Sequence, residues 1–185
     1  MKKVIILHVL ILIVYSCQEH KKEYKSKQNN IRNVYFQLPT DFVLKQNKSE
    51  DTQVYDILHD KKLVGTIFFG HYYKPFFEDH SITEEKEVYK KVSSKGGKIF
   101  YTSNLELDYK NGAFNDNYYY YDTINKNVAQ VMLPKKLSKG LIGIYLDSVD
   151  NHNNKFIITS SDLSDENKKI FLDIFRTIKV TPSKE

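Results

Sequence analysis

KFIITS at positions 155–160, followed by SDENKKIFLDIFRTI at 164–178, decides the fold. The first stretch is short and rich in β-branched and aromatic residues, the composition of a strand. In the second, Ser164 is a natural N-cap, and Asp165 and Glu166 put negative charge at the positive end of a helix. Ile170, Phe171, Ile174, Phe175 and Ile178 then recur at helical spacing on one face, with Lys168, Lys169 and Asp173 opposite. A helix with so broad an apolar face docks on a sheet. Burying those five side chains is worth about 10 kcal/mol gross, before conformational entropy is subtracted.

Upstream, β-rich runs recur at Ile99 to Thr102, Asn117 to Thr123, Asn127 to Leu133 and Leu141 to Ser148. The turn formers 124–127 and 150–154, together with Asn111-Gly112, read as hairpin turns, which makes neighbouring strands antiparallel. Nearer the start, Val34, Phe36 and Leu38 alternate with polar residues, the period of a strand with one buried face. Pro39-Thr40-Asp41 turns the chain and Phe42-Val43-Leu44 resumes an extended path. Thr52 to His59 is a further strand, with Tyr55, Ile57 and His59 on one side, and Asp60-Lys61-Lys62 reverses it. The next run, LVGTIFFGHY at 63–72, is apolar on both faces, which predicts a central strand. Ser81 to Lys95 reads as a helix: Ser81 and Glu84 fit a capping box, Ile82, Val88, Tyr89 and Val92 form a narrow stripe, and Gly96-Gly97 stops it.

The stretch Phe36-Gln37-Leu38-Pro39-Thr40-Asp41-Phe42-Val43-Leu44, read as a strand–proline–aromatic hairpin, resembles the opening of the PsbP-like superfamily. That superfamily includes the extrinsic photosystem protein and a Ran-binding nuclear import factor. Residues 156–160 and 164–178 are similar to its closing strand and last helix. The resemblance implies an α+β domain with an antiparallel sheet of about six or seven strands flanked by helices. None of the photosystem branch's metal-binding residues is carried over to this sequence.

Lys2 and Lys3 precede an apolar run from Val4 to Tyr15, too short for the roughly 20 residues of a membrane span. Val14-Tyr15-Ser16-Cys17 then resembles the lipobox of a bacterial lipoprotein. That resemblance implies cleavage before Cys17, its diacylation, and usually acylation of its new amino group. The expected organisation is a signal peptide over 1–16, a flexible lipidated tether over 17–30, one α+β domain over 31–180 and a disordered tail over 181–185. Two or more acyl chains hold a membrane stably, so the expected location is the cell envelope. Gln18 is not the Asp of inner-membrane retention, which tilts the expectation toward the outer membrane.

Losing Lys2 and Lys3 from 28 basic residues leaves 26 against 23 acidic, a net charge of +3. The chain is rich in Lys, Asn, Ile and Tyr, has no Trp, and has only Ala113 and Ala129 as alanines, so its basicity is compositional. No basic run with interleaved aromatics marks a nucleic-acid groove, and nucleic acid is not an expected partner. Cys17 is the only cysteine, which removes disulfides and thiolate chemistry from the folded part.

No P-loop, dinucleotide fingerprint, nucleophile elbow or zinc-protease motif is present, and no catalytic, metal or cofactor residues are assigned. Glu78-Asp79-His80 reads as a solvated loop rather than a ligand set, and Asp147, Asp150 and His152 as turn formers. The candidate partner-binding residues are aromatic. Tyr72, Tyr73, Phe76 and Phe77 belong to a proline-broken run that either folds over the core edge or forms a partner surface. Tyr118 to Tyr121 put two tyrosines on each face of a strand, with Tyr119 and Tyr121 as the candidates for contact. The expected function is a non-enzymatic envelope lipoprotein that binds a protein partner. The alternatives are a glycan or small-molecule binder, or an immunity protein for a secreted toxin. The sequence sets no oligomeric state.

Overall fold

The computed structural model describes residues 24–48, 52–136, 141–161 and 164–182. Its main layer is a seven-stranded sheet built from β3 (Phe42–Asn47), β4 (Gln53–His59), β5 (Lys62–Gly70), β8 (Asn117–Ile124), β9 (Asn127–Pro134), β10 (Ile142–Leu146) and β11 (Lys155–Ser160). The order is β3-β4-β5-β11-β10-β9-β8, and every pairing is antiparallel. Two connections are two-residue turns with both central residues left-handed: Asp60 and Lys61 at φ 49° and 65°, and Asn125 and Lys126 at 46° and 75°. That geometry matches the twist of the flanking strands. The β10–β11 turn is held by Asp150, whose Oδ1 accepts from the backbone N–H of His152 and of Asn154, both at 3.0 Å. As read from its composition, β5 is internal, and Gly65, Ile67 and Phe69 on one of its faces are buried.

On that face lies helix α3 (Asp165–Thr177), capped by the Ser164 hydroxyl, which accepts from the Asn167 N–H at 3.1 Å. Ile170, Phe171, Ile174, Phe175 and Ile178 are all buried, as the spacing predicts. Gly65 permits the close approach: a Cβ there would stand 2.6 Å from Phe171 Cζ. Beside α3 sits a three-stranded antiparallel sheet, β1 (Ser26–Ile31), β2 (Val34–Pro39) and β12 (Lys179–Val180), in the order β1-β2-β12. Val34, Phe36 and Leu38 of β2 point into the core, where the Phe36 ring lies 5.7 Å from that of Phe156.

Three expectations about the chain's ends and first turn are corrected. The tether does not reach Asn30. Ser26 to Ile31 form a strand whose register runs from Ser26↔Pro39 to Ile31↔Val34. Only Ile31 of it is buried, so backbone pairing with β2, not apolar burial, makes the strand. The segment around Pro39 is not a hairpin either, because β2 and β3 belong to different sheets and the turn carries the chain from one layer to the other. At the other terminus Thr181 is tied in, its N–H donating to Asn33 O at 3.0 Å.

Between β5 and β8 the chain makes a long excursion. Residues 71–80 cross the face of the large sheet opposite α3. The excursion then forms β6 (Ile82–Thr83), α1 (Lys86–Ser93), β7 (Phe100–Tyr101) and α2 (Leu105–Lys110). The helix expected from Ser81 therefore starts later. Ile82 and Thr83 pair in parallel with Phe100 and Tyr101, and the Glu84 carboxylate accepts from the Leu105 N–H at 2.9 Å instead of closing a capping box. Its end is as expected, with Gly96 left-handed and the Gly97 N–H on Val92 O at 3.1 Å. Asn111-Gly112 is no hairpin turn. It closes α2, whose N-cap Asn104 accepts from the Leu107 N–H at 3.0 Å. Neither α1 nor α2 contributes a buried residue.

Candidate functional site

The sheet face that carries the crossing segment holds most of the aromatic candidates. Cross-strand register aligns Tyr119, Met132, Gly143, Thr159 and Thr66 in one row, and Tyr121, Gln130, Tyr145, Ile157 and Phe68 in the next. Over these rows residues 71–80 run from β5 toward β8. The Tyr73 ring settles 5.4 Å from Phe68. At Phe76 the backbone itself is clamped by Gln130: the N–H donates to Oε1 at 2.6 Å, and Nε2 donates back to the carbonyl at 3.1 Å. The Phe76 ring meets Tyr145 edge-on at 6.4 Å and fills the space above Gly143, where a Cβ would stand 2.8 Å from Phe76 Cζ.

The two readings of the aromatic run thus divide residue by residue. Tyr73 and Phe76 are half-buried and cover the sheet. Tyr72 and Phe77 point away, 77 % and 71 % exposed. In β8 the expected even split is not observed. Tyr119 alone is half-buried, whereas Tyr118 and Tyr121 are 59 % and 67 % exposed and Tyr120 is also exposed. The reason is position: β8 is the outer strand of the sheet, at the rim of the layer formed by α3. The Lys135 ammonium sits 5.5 Å from the centre of the Tyr118 ring, a cation–π contact. Cys17 and its flanks lie outside the described residues.

The reading of Glu78-Asp79-His80 as a solvated loop is corrected, because the Glu78 and His80 side chains are only 17 % and 19 % exposed and Glu78 organises this face. Glu78 Oε1 accepts from the Asn117 N–H at 2.9 Å, the Asn117 side-chain amide at 2.7 Å and the Tyr119 hydroxyl at 2.7 Å. Oε2 accepts from the Asp116 N–H at 2.8 Å. Burial pushes the carboxyl up, but these four donors more than offset it and hold Glu78 below its ordinary value. Burial and the Glu78 carboxylate together push the Tyr119 hydroxyl far above its ordinary value, which keeps it a donor. His80 places Nε2 3.4 Å from Glu78 Oε2 without an aligned hydrogen bond. Its ring stands edge-on to Phe100 at 5.3 Å. No local pattern announces Glu78, because its partners lie 38 to 41 positions away.

This cluster fastens the crossing segment to the start of β8, with both Glu78 oxygens occupied by donors. Asp147 is likewise engaged, with Lys155 Nζ at 2.8 Å, and the pair of hydrogen bonds from Lys155 and Ser148 holds its carboxyl below the ordinary range. Among the described residues, no three His, Asp or Glu side chains converge as metal ligands. Two shallow grooves flank the excursion. One, of about 600 Å³, is lined by His80, Ile82, Leu105, Glu106, Tyr109 and Lys110. The other, of about 380 Å³, is lined by Val88, Lys91, Val92, Lys95 and Gly97. No protein-family model matches the chain, and no curated protein matches its sequence significantly.

Proposed function

We propose that this chain is a lipid-anchored envelope protein, held at Cys17, whose domain binds a protein partner through the outer edge of β8. The observation that carries the binding half is that β8 ends the sheet with Tyr118, Tyr120 and Tyr121 exposed along it. An edge strand offers unpaired backbone donors and acceptors to an incoming strand, and tyrosines beside it add apolar area with a polar tip. Engagement of both Glu78 oxygens by structural donors supports a non-enzymatic role. The lipobox supports the anchor, and Gln18 favours the outer membrane. Kinship with the PsbP-like superfamily is part of the same reading, supported by the closing strand and last helix but not by the region around Pro39. An immunity protein against a secreted toxin is one form such a partner-binding lipoprotein takes.

The test is cross-linking in intact cells with a photoreactive residue in place of Tyr121. A reproducible adduct that disappears on Tyr118→Arg with Tyr120→Arg is expected, and no adduct beyond lipid would overturn the proposal. The groove beside His80 favours a second reading, a small-molecule or glycan binder, because its volume suits a compact ligand. Oligosaccharide titration followed by tyrosine fluorescence separates the two, since Tyr109 lines that groove.

A further inference from the structure

The antiparallel strands define two ends of the large sheet. At one, here the proximal end, lie the start of β5 at Lys62, the end of β11 at Ser160, the end of β9 at Pro134 and the start of β8 at Asn117. The chain reaches the domain at this same end. The Tyr24 hydroxyl donates to Glu166 in the first turn of α3 at 2.9 Å, and Lys25 O accepts from the Thr40 N–H at 2.9 Å, next to the start of β3. The excursion between β5 and β8 is fixed there too, through Glu78 on Asp116 and Asn117 and through Lys135 Nζ on Gly112 O at 2.6 Å.

Seven residue steps separate Cys17 from Tyr24, which span at most about 25 Å fully extended. This is about half of what a tether running to Asn30 would allow. An acylated Cys17 would therefore hold the proximal end close over the lipid headgroups. The segment VYKKVSSKGGKIFY at 88–101 is tied toward that end by Phe100, whose ring lies 5.3 Å from His80 and 4.8 Å from Phe114. It keeps Val88, Tyr89, Phe100 and Tyr101 exposed, with Val92 half-buried in the groove between Lys91 and Lys95. Within it stand Lys90, Lys91, Lys95 and Lys98 and no acidic residue. Glu87, just before it, pairs with Lys90 at 3.0 Å and leaves the other three lysines for an outside anion. Aromatic side chains at the two ends of a lysine-bearing stretch suit the boundary between headgroups and acyl chains.

We infer that residues 88–101 rest on an anionic lipid surface and set the orientation of the domain, with the β10–β11 turn directed away from the bilayer. This inference rests on the anchor reading of Cys17. The test uses the full lipidated chain in vesicles with and without phosphatidylglycerol, carrying one added cysteine, Ser93→Cys or Asn151→Cys, labelled with an environment-sensitive dye. Quenching by lipid-borne quenchers is expected at position 93 and not at 151, and it should weaken about tenfold when Lys91→Glu and Lys95→Glu are combined or phosphatidylglycerol is left out. Equal quenching at both positions overturns the inference while leaving the anchor intact, as does contact at 93 that ignores the lysines and the lipid charge. A chain that takes two dyes and does not float with vesicles has a free Cys17 thiol, and it overturns the anchor and this inference together.

Discussion

Glu78 joins three pieces of chain that the sequence keeps far apart: the crossing segment, the start of β8 and, through Asn117 Oδ1 on the Leu141 N–H at 2.6 Å, the start of β10. Its pH dependence follows from its lowered pKa. The folded state holds this carboxylate ionised more firmly than the unfolded state does, so its stabilisation is complete above the ordinary glutamate value of 4.5 and fades as pH falls through the lower folded-state value. Glu78→Gln should cost about 2 kcal/mol at neutral pH by turning an amide N–H toward donors. The difference from the parent should shrink at acid pH, below the folded-state value, where the parent also loses the charge. Urea denaturation at the two pH values measures both effects. At this scale the sequence was only partly readable. The turn role of Asp150 could be read because its side chain bonds neighbours two and four positions on, and that of Asn125 because asparagine tolerates the left-handed backbone of a tight turn. Glu78, Gln130 and the split of Tyr72 and Phe77 from Tyr73 and Phe76 could not, because each depends on which strand lies beneath.

Among the elements, α3 was the most legible, because cap, charge and apolar spacing all point to one helix. Phe171 faces Gly65 with no exposure, and Phe171→Ala should destabilise by about 3–5 kcal/mol, read as a lower urea midpoint with unchanged slope. Removing the cap with Ser164→Ala should cost only about 1 kcal/mol in the same measurement. The strands of the large sheet were similarly legible from period-two alternation and turn chemistry. Three elements failed for distinct reasons. β1 reads SKQNNI and has almost no apolar residue to reveal it. The capping box at Ser81 was overridden by pairing of Ile82 with Phe100, and α2 is too short for periodicity to show.

For the molecule as a whole, cohesion is uneven. β5, β10 and β11 are interior strands lined by Ile67, Ile144 and Ile158, all fully buried. The excursion at 81–114 contributes only Thr102 to the buried set. Native-state hydrogen exchange should therefore find amides of α1 and α2 opening at low free energy, while those of β10 and β11 open only with global unfolding. Uniform protection across both regions would contradict this. The α+β class and the antiparallel sheet could be read from strand signals, but the division into two sheets could not, because nothing local at Pro39 says that the chain changes layer.

That division has a consequence for synthesis. β2 gains its second neighbour only from β12, where Lys179 faces Tyr35, 144 positions away in the sequence. A chain still lacking Lys179 and Val180 cannot close this clasp, so β2 keeps one open edge until segments far apart in sequence have both been made and brought together.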